Sequence, residues 1–331
     1  TIPLYQNIAG DTGLLIAMPL ACGVLFAGVG QITLLQLRMR KRRINPKLLS
    51  WRFSPEARRM WVSFLPAALG AGGLQLNLLV DTILASLLNV GAISWLYYAD
   101  RIAQLPLGIV GIALGTALLP RLSALEANGR SEDIAGELSS GLKTASIFVL
   151  PAAAAIIVIA EPILAGLFLS GMFTEEDVYY ASLALIAYGV GLPAFVGNKI
   201  LQPAFYAAGH AKLVLKISMV SVLVNLCLSI LLMQFFAHAG LALATSISFW
   251  IILFWQALIL WRLKKLDFTA SIFIAKVLTA AFVMALCLAG ADFVLDGATS
   301  GPRLKLVILV AGGLILYAGC VLIFRIMPKS G

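Results

Sequence analysis

Long apolar runs separated by short polar breaks dominate the chain. Nine runs of about 20 to 29 residues lie at 13–37, 61–88, 92–119, 144–169, 179–207, 214–235, 239–262, 272–294 and 304–325. Runs of this length suit helices that cross about 30 Å of hydrocarbon, and they are too long for the strands of a membrane barrel. The pattern predicts an all-α, polytopic transmembrane helical bundle of about nine spans, named A to I in chain order.

Composition agrees with this pattern, since 61% of the 331 residues are hydrophobic and only 12% are charged. A soluble domain of this length carries about twice that share of charged residues. The four cysteines lie singly in different spans, which favours apolar packing over a disulfide frame or a metal site. We find no Gly-rich phosphate loop or nucleophile elbow, so the sequence predicts neither an enzyme nor a catalytic residue.

The net charge of +9 is concentrated in the loops. If span A ends in the cytoplasm, 20 of the 24 Lys and Arg residues fall on the cytoplasmic side, nine of them between Arg38 and Arg59. Because basic residues accumulate in cytoplasmic loops, this asymmetry predicts cytoplasmic basic loops and a cytoplasmic C-terminus. The stretch 38–59 is then expected near anionic lipid rather than on nucleic acid.

Two charged groups lie deep inside spans B and C, where an ionised side chain costs roughly 2.5 to 3.5 kcal/mol. Asp81 precedes the turn near residue 91 by ten residues, and Arg101 follows it by ten. Equal depth predicts that Asp81 is the counter-ion of Arg101. One interpretation is an ion pair that only holds the hairpin together; the other is an anion contact, because a guanidinium binds phosphate as a planar fork.

Further small and polar residues lie at helical spacing near Asp81 on span B and near Arg101 on span C. On span B, helical steps of three and four relate Gly70, Gly73, Asn77 and Asp81. On span C, one side of the helix carries Tyr97, Asp100 and Gln104. Stripes of this kind line a helix contact or a wet cavity, so we expect Asn77 to support the cavity.

Spans E, F and G add further polar groups. Lys199 either faces the cavity or extends its stem to the headgroups at the end of span E. Asn225 and Ser229 on span F and Thr245 on span G lie at roughly the depth of Asp81. These four residues predict a small-cation site built from oxygen ligands, and the alternative is polar contact that holds the helices together.

Four stretches resemble the MurJ (MviN) family of bacterial lipid II flippases: QLNLLVDTILASLL (75–88), SWLYYADRIAQLPLGIVGIALGTALLPRLS (94–123), LSGMFTEED (169–177) and QPAFYAAGHAKLVLKIS (202–218). They follow the family's order and spacing over spans B to F. The resemblance implies the fold of the MOP exporter superfamily, with two six-helix MATE-like lobes around a cavity and an extra helix pair. The implied parts are the last helix of the first lobe (1–37), a basic cytoplasmic loop (38–59), the second lobe (60–265) and the pair bordering a lipid-tail groove (266–331).

The resemblance also implies a function in the bacterial cytoplasmic membrane. The family moves lipid II, the lipid-linked peptidoglycan precursor, from the inner to the outer leaflet by alternating access. Arg101 would be the cavity arginine, Asp100 the acidic residue before it and Lys199 a cavity lysine, whereas Gln104 stands where some relatives have Glu. The expected partners are lipid II, membrane lipids and the first-lobe helices that this chain lacks.

The sequence leaves alternatives for what drives transport and for what is transported. Relatives in the superfamily use sodium or protons, so Na⁺, H⁺ or the membrane potential could drive the cycle, and no cofactor is expected. The rival functions are a multidrug or O-antigen-type exporter of the same superfamily and a non-transporting scaffold subunit of cell-wall assembly.

Overall fold

The computed structural model of the chain describes residues 13–41, 61, 77–130, 132–267, 270–296 and 301–324. Within these ranges the chain is helical between short turns and contains no strand, which confirms the predicted all-α class. Two compact units form, Thr1–Met60 and Trp61–Gly331. In the first unit, helix α1 spans Gly13–Lys41. The predicted glycine stripe at Gly70 and Gly73, most of the basic loop and the C-terminal residues lie outside the described residues.

The second unit contains the helices that carry the predicted site. In chain order they are α2 (Asn77–Ser86), α3 (Ala92–Pro106), α4 (Ala113–Ala127), α5 (Asp133–Val158), α6 (Ala160–Phe168), α7 (Glu175–Ala207), α8 (Ala211–Arg262), α9 (Ser271–Asp296) and α10 (Pro302–Ile323). A π-helical segment, Leu107–Ile112, joins α3 to α4 without a loop. In the described part of the chain, seven helical stretches are long and apolar enough to cross a membrane. The protein is therefore a multi-pass membrane protein.

Helix α8 folds back on itself. If its 52 residues formed a straight helix, it would be about 78 Å long, more than twice the thickness of the hydrocarbon layer. The backbone leaves the helical conformation at Ala237, where φ is 48° and ψ is −128°. Beyond this bend, Thr245 Oγ1 lies 3.3 Å from Asn225 Oδ1 although 20 residues separate them. The two limbs are thus antiparallel, as expected for spans F and G.

Span D differs from the prediction at its start and by an interruption inside it. Helix α5 begins at Asp133 rather than at residue 144, and Ile159, with φ −115° and ψ 32°, separates it from α6. The added turns bury Ile134 and Leu138 completely. Since burial of apolar side chains stabilises a helix through packing, these two positions explain why the helix starts so early.

Helix α7 forms the centre of the second unit and packs against α3, α4, α5 and α8. Its first turn is fixed by a capping box in which Asp177 Oδ2 accepts a 2.9 Å hydrogen bond from the Thr174 backbone N–H. Trp95 Nε1 donates to the other carboxylate oxygen at 2.8 Å. The Trp95 ring also stacks on Tyr180 and lies 4.9 Å from the ring of His238.

These contacts place three turns at the same end of the unit, namely those before α3, before α7 and at the bend of α8. At the opposite end, Lys265 beyond α8 pairs with Glu126 near the end of α4. The turns therefore alternate between two ends, as a chain that crosses a membrane repeatedly requires. Which end faces the cytoplasm remains the prediction drawn from the basic loops.

The C-terminal helices α9 and α10 pack on the outside of α5 and α6. Tyr317 Oη donates a 2.6 Å hydrogen bond to the backbone carbonyl of Ile147, and Lys305 pairs with Asp292 at 2.6 Å. An apolar groove of about 510 Å³ runs between α9, α5 and α7. Its lining includes Ala154, Ile157, Pro193, Phe282 and Ala285.

Candidate functional site

A buried carboxylate joins α2 to both limbs of α8. Asp81 is 7% exposed, and its Oδ1 accepts hydrogen bonds from Asn225 Nδ2 at 3.2 Å and Ser229 Oγ at 3.4 Å. Its Oδ2 accepts a 2.9 Å hydrogen bond from Thr245 Oγ1. The structure thus brings together the four residues that the sequence places at one depth.

This cluster contains more acceptors than donors. The Thr245 hydroxyl lies within hydrogen-bonding distance of Asp81 Oδ2, of Asn225 Oδ1 at 3.3 Å and of the Leu241 carbonyl at 3.2 Å. A hydroxyl has one proton, so it cannot satisfy all three oxygens at once. Hard oxygen ligands around a single carboxylate suit a small cation such as Na⁺, and the residues present therefore fit such an ion.

Arg101 lies in a different environment from the predicted one. Its side chain is exposed, with Cζ 4.7 Å from the centre of the Tyr97 ring. Its Nη1 donates to Gln104 Oε1 at 3.5 Å. Among the described residues, no carboxylate lies within ion-pair distance of this guanidinium. The prediction that Asp81 is its counter-ion is wrong.

Asp81 and Arg101 do not pair because of the direction in which their side chains point, not because of their depth. Successive residues of a helix point about 100° apart, so Asp100 and Arg101 face different surroundings. Asp100 is half-buried and interacts electrostatically with Asp81, whereas Arg101 points outward along the exposed side of α3. The donors on α8 already occupy both oxygens of Asp81. Asp81 therefore supports the inner cluster, and the carboxylate that interacts electrostatically with Arg101 is that of its neighbour Asp100.

Asp100 and Gln104 form a second link along α3. Gln104 Nε2 donates to Asp100 Oδ2 across one helical turn, which agrees with their predicted common side. Three of the residues predicted to bind substrate, Arg101 among them, are thus in mutual contact. Asn77 lies one turn before Asp81 and is buried, and its Oδ1 accepts no hydrogen bond from a described residue.

Lys199 lies apart from this group. A Cβ atom added to Gly115 would lie 2.6 Å from the Lys199 carbonyl oxygen, so the two backbones touch at that level. Because Trp95 contacts Asp177 near the start of α7, α3 and α4 run parallel to that helix. Gly115 is level with Lys199, and Arg101 lies 14 residues before Gly115. Arg101 and Lys199 are therefore separated by about 21 Å along the helix axis. The two cations cannot contact one phosphate group together in this arrangement.

Sequence reasoning missed two contacts around the site. Tyr97 shares one predicted side with Asp100 and Gln104, but its role as the partner of Arg101 was missed, although a spacing of four residues signals contact on a helix. The Trp95 to Asp177 hydrogen bond was also missed. Its signal is the pattern of Thr174 followed three residues later by an acid, which is typical of a helix start.

Fold and site together define a class of protein. Charged and polar groups face one another at mid-helix in a multi-pass bundle, an arrangement typical of membrane transporters. Residues 3–303 match the family model described as lipid II flippase MurJ. The chain belongs to this family of transporters, as the motifs around Arg101 indicated.

Relatives agree with this assignment, and solved structures share the fold. A probable lipid II flippase MurJ of Rhizobium meliloti (strain 1021) is 37% identical over 259 residues, which cover 78% of this chain and 48% of that protein. A structure of lipid II flippase MurJ in an inward closed conformation aligns with a TM-score of 0.69 at 24% identity, over 85% of this chain and 57% of that one. A MATE structure in complex with MaD3S aligns with a TM-score of 0.50 at 18% identity, over 78% and 62%. The chain spans about half the length of the curated relatives it matches.

Proposed function

We propose that the protein moves lipid II from the inner to the outer leaflet of the bacterial cytoplasmic membrane, together with the helices that its relatives carry in addition. The observation that carries this proposal is the exposed Arg101 guanidinium, which forms no ion pair with a carboxylate of the described residues. A diphosphate that leaves the headgroup region loses water and counterions. In the proposed cycle, a fixed cation that faces the transport path replaces them.

The separation of about 21 Å along the helix axis between Arg101 and Lys199 supports sequential contacts. The diphosphate would meet Lys199 and Arg101 at different stages of its passage rather than in one bidentate site. Alternating exposure of the cavity to the two leaflets would carry it from one cation to the other. An inside-negative potential would add about 2.3 kcal/mol for each charge moved across 100 mV.

Cation coupling is part of the proposal, because the Asp81 cluster has more acceptors than donors. Na⁺ or a proton would bind at Asp81 and be held by Asn225, Ser229 and Thr245. Since Asp100 interacts electrostatically with Asp81, neutralising that carboxylate changes the field at the residue beside Arg101. Occupation of the cation site would thereby alter the affinity of the anion site.

The test compares Arg101→Ala with Arg101→Lys in the full-length protein, expressed in bacteria depleted of their own lipid II flippase. We expect Arg101→Ala to abolish growth and Arg101→Lys to restore it in part, since ammonium keeps the charge but not the planar fork. Protein levels in the membrane fraction serve as the control. Normal growth of both variants at normal protein levels would contradict the anion contact and favour the scaffold function.

Cargo is tested separately with the purified protein in vesicles that contain fluorescent lipid II. Movement of lipid II to the opposite leaflet supports the proposal. Failure to move lipid II together with transport of another cargo would favour a multidrug or O-antigen-type exporter.

A further inference from the structure

We propose that Tyr97 positions the Arg101 guanidinium for an anion, as an aromatic platform that holds the charge without neutralising it. This inference rests on the proposed diphosphate contact of Arg101 and adds a positioning residue to it. The two residues are four apart on α3, so their side chains share one face of the helix. The 4.7 Å between Cζ and the ring centre lies within the range of cation–π attraction.

Contacts with other aromatic rings hold the Tyr97 ring in place. The ring of Tyr97 meets that of Tyr98 edge-on, with 5.9 Å between the centroids. Tyr98 in turn lies 4.8 Å from the ring of Phe168 and 5.0 Å from that of Phe173. Because these two phenylalanines flank the turn between α6 and α7, the platform is anchored to the body of the unit. Tyr97 itself is 53% exposed, so a ligand can reach it.

Gln104, on the next helical turn, is the second side chain that contacts the Arg101 guanidinium. A carboxylate only accepts hydrogen bonds, so Asp100 requires the amide nitrogen of Gln104 and leaves Oε1 directed to Arg101. Arg101 Nη1 donates to that oxygen at 3.5 Å. The other guanidinium N–H groups donate to no described residue. The ring and the amide that contact Arg101 are both neutral, and the Asp100 carboxylate acts on Arg101 electrostatically without forming an ion pair.

A neutral group that positions Arg101 affects diphosphate binding differently from a carboxylate. A carboxylate paired directly with the Arg101 guanidinium would occupy the same fork of N–H groups that a diphosphate needs. The face of a tyrosine ring attracts the cation through its quadrupole and leaves the edge of the guanidinium free. The side chain also loses less rotamer freedom on binding, because part of that freedom is already lost.

The experiment measures binding of undecaprenyl diphosphate to the full-length protein in nanodiscs, with undecaprenol as the uncharged reference lipid. We expect Tyr97→Leu to weaken binding of the diphosphate about three- to tenfold and to leave undecaprenol binding unchanged. Tyr97→Phe keeps the ring and should bind within about twofold of the parent protein. Tyr179→Leu is the matched control, because Tyr179 is 52% exposed and belongs to a different helix.

The outcomes separate the two proposals. If Arg101→Ala weakens diphosphate binding but Tyr97→Leu does not, the platform is refuted and the anion contact stands. If Arg101→Ala binds the diphosphate as the parent protein does, the proposed function loses its main contact. Equal weakening for both lipids in Tyr97→Leu would show a general packing defect and would also overturn the inference.

Discussion

Asp81 and Thr245 are 164 residues apart in the sequence and share a 2.9 Å hydrogen bond inside the bundle. The contact connects α2 to the second limb of α8, and Asn225 connects the same carboxylate to the first limb. Three stretches of helix thus converge on one buried negative charge. Each neutral partner offsets part of the cost of burying that charge, so each should contribute to stability.

Replacing Thr245 with Val should destabilise the folded protein by about 1–3 kcal/mol, because Asp81 Oδ2 loses its donor without a change in side-chain shape. Thr245→Ser restores the hydroxyl and should recover most of the loss. Thermal unfolding in detergent provides the measurement.

Thr279→Val is the control for this substitution. Thr279 is exposed on α9, and its hydroxyl bonds only to carbonyls of its own helix, at 2.8 and 3.1 Å. Its replacement should change the melting temperature little. An equal loss for both valine variants would mean that the Asp81 contact contributes nothing specific.

Sodium should raise the thermal stability of the purified protein, because an ion that binds only the folded state stabilises it, and does so more as its concentration rises above the Kd. The required comparison is NaCl against choline chloride at equal ionic strength. Asp81→Asn removes the only carboxylate of the cluster and should abolish the difference. If the parent protein melts at one temperature in both salts, sodium does not bind at this site.

Gly115→Ala should destabilise the protein by about 1–3 kcal/mol, since the new methyl group would overlap the Lys199 carbonyl oxygen. A backbone oxygen cannot rotate away, so α4 and α7 would have to separate. Gly290→Ala on α9 is the matched control, because nothing lies within 4 Å of its Cβ position. A melting temperature that is unchanged in Gly115→Ala would show that the two helices are free to move apart.

Much of the fold follows from the sequence because a bilayer restricts the options. An apolar run long enough to cross it must be a helix, and turns must alternate between the two faces. The convergence of Asn225 and Thr245 on Asp81 follows from the same rule, since residues equally far from turns at one end share a depth. The spacing of these residues along the chain is therefore enough to predict their common depth.

Direction around the helix axis does not follow from spacing in the same way. The rule of equal depth applies to Asp81 and Arg101 as well, yet the two side chains point to different sides. Which face of α3 turns inward is decided by packing of residues such as Ala99 and Ile102, both buried. That choice depends on several helices at once, so the spacing along a single helix does not determine it. The break between spans F and G does predict the bend of α8, but the hydropathy pattern does not show that Ala237, a residue other than Gly, takes the positive φ there.

Filling the groove between α9, α5 and α7 should reduce transport of a long polyprenyl lipid. Ala285→Trp places a large ring into the cavity of about 510 Å³ and should slow lipid II movement several-fold, because the tail loses its apolar contact surface. Binding of a short-chain diphosphate should be unaffected, since Arg101 lies on another helix. Val283→Trp is the control, as Val283 is on the same helix but outside the groove lining. Unchanged lipid II movement in Ala285→Trp, measured in vesicles, would exclude the groove as the path of the tail.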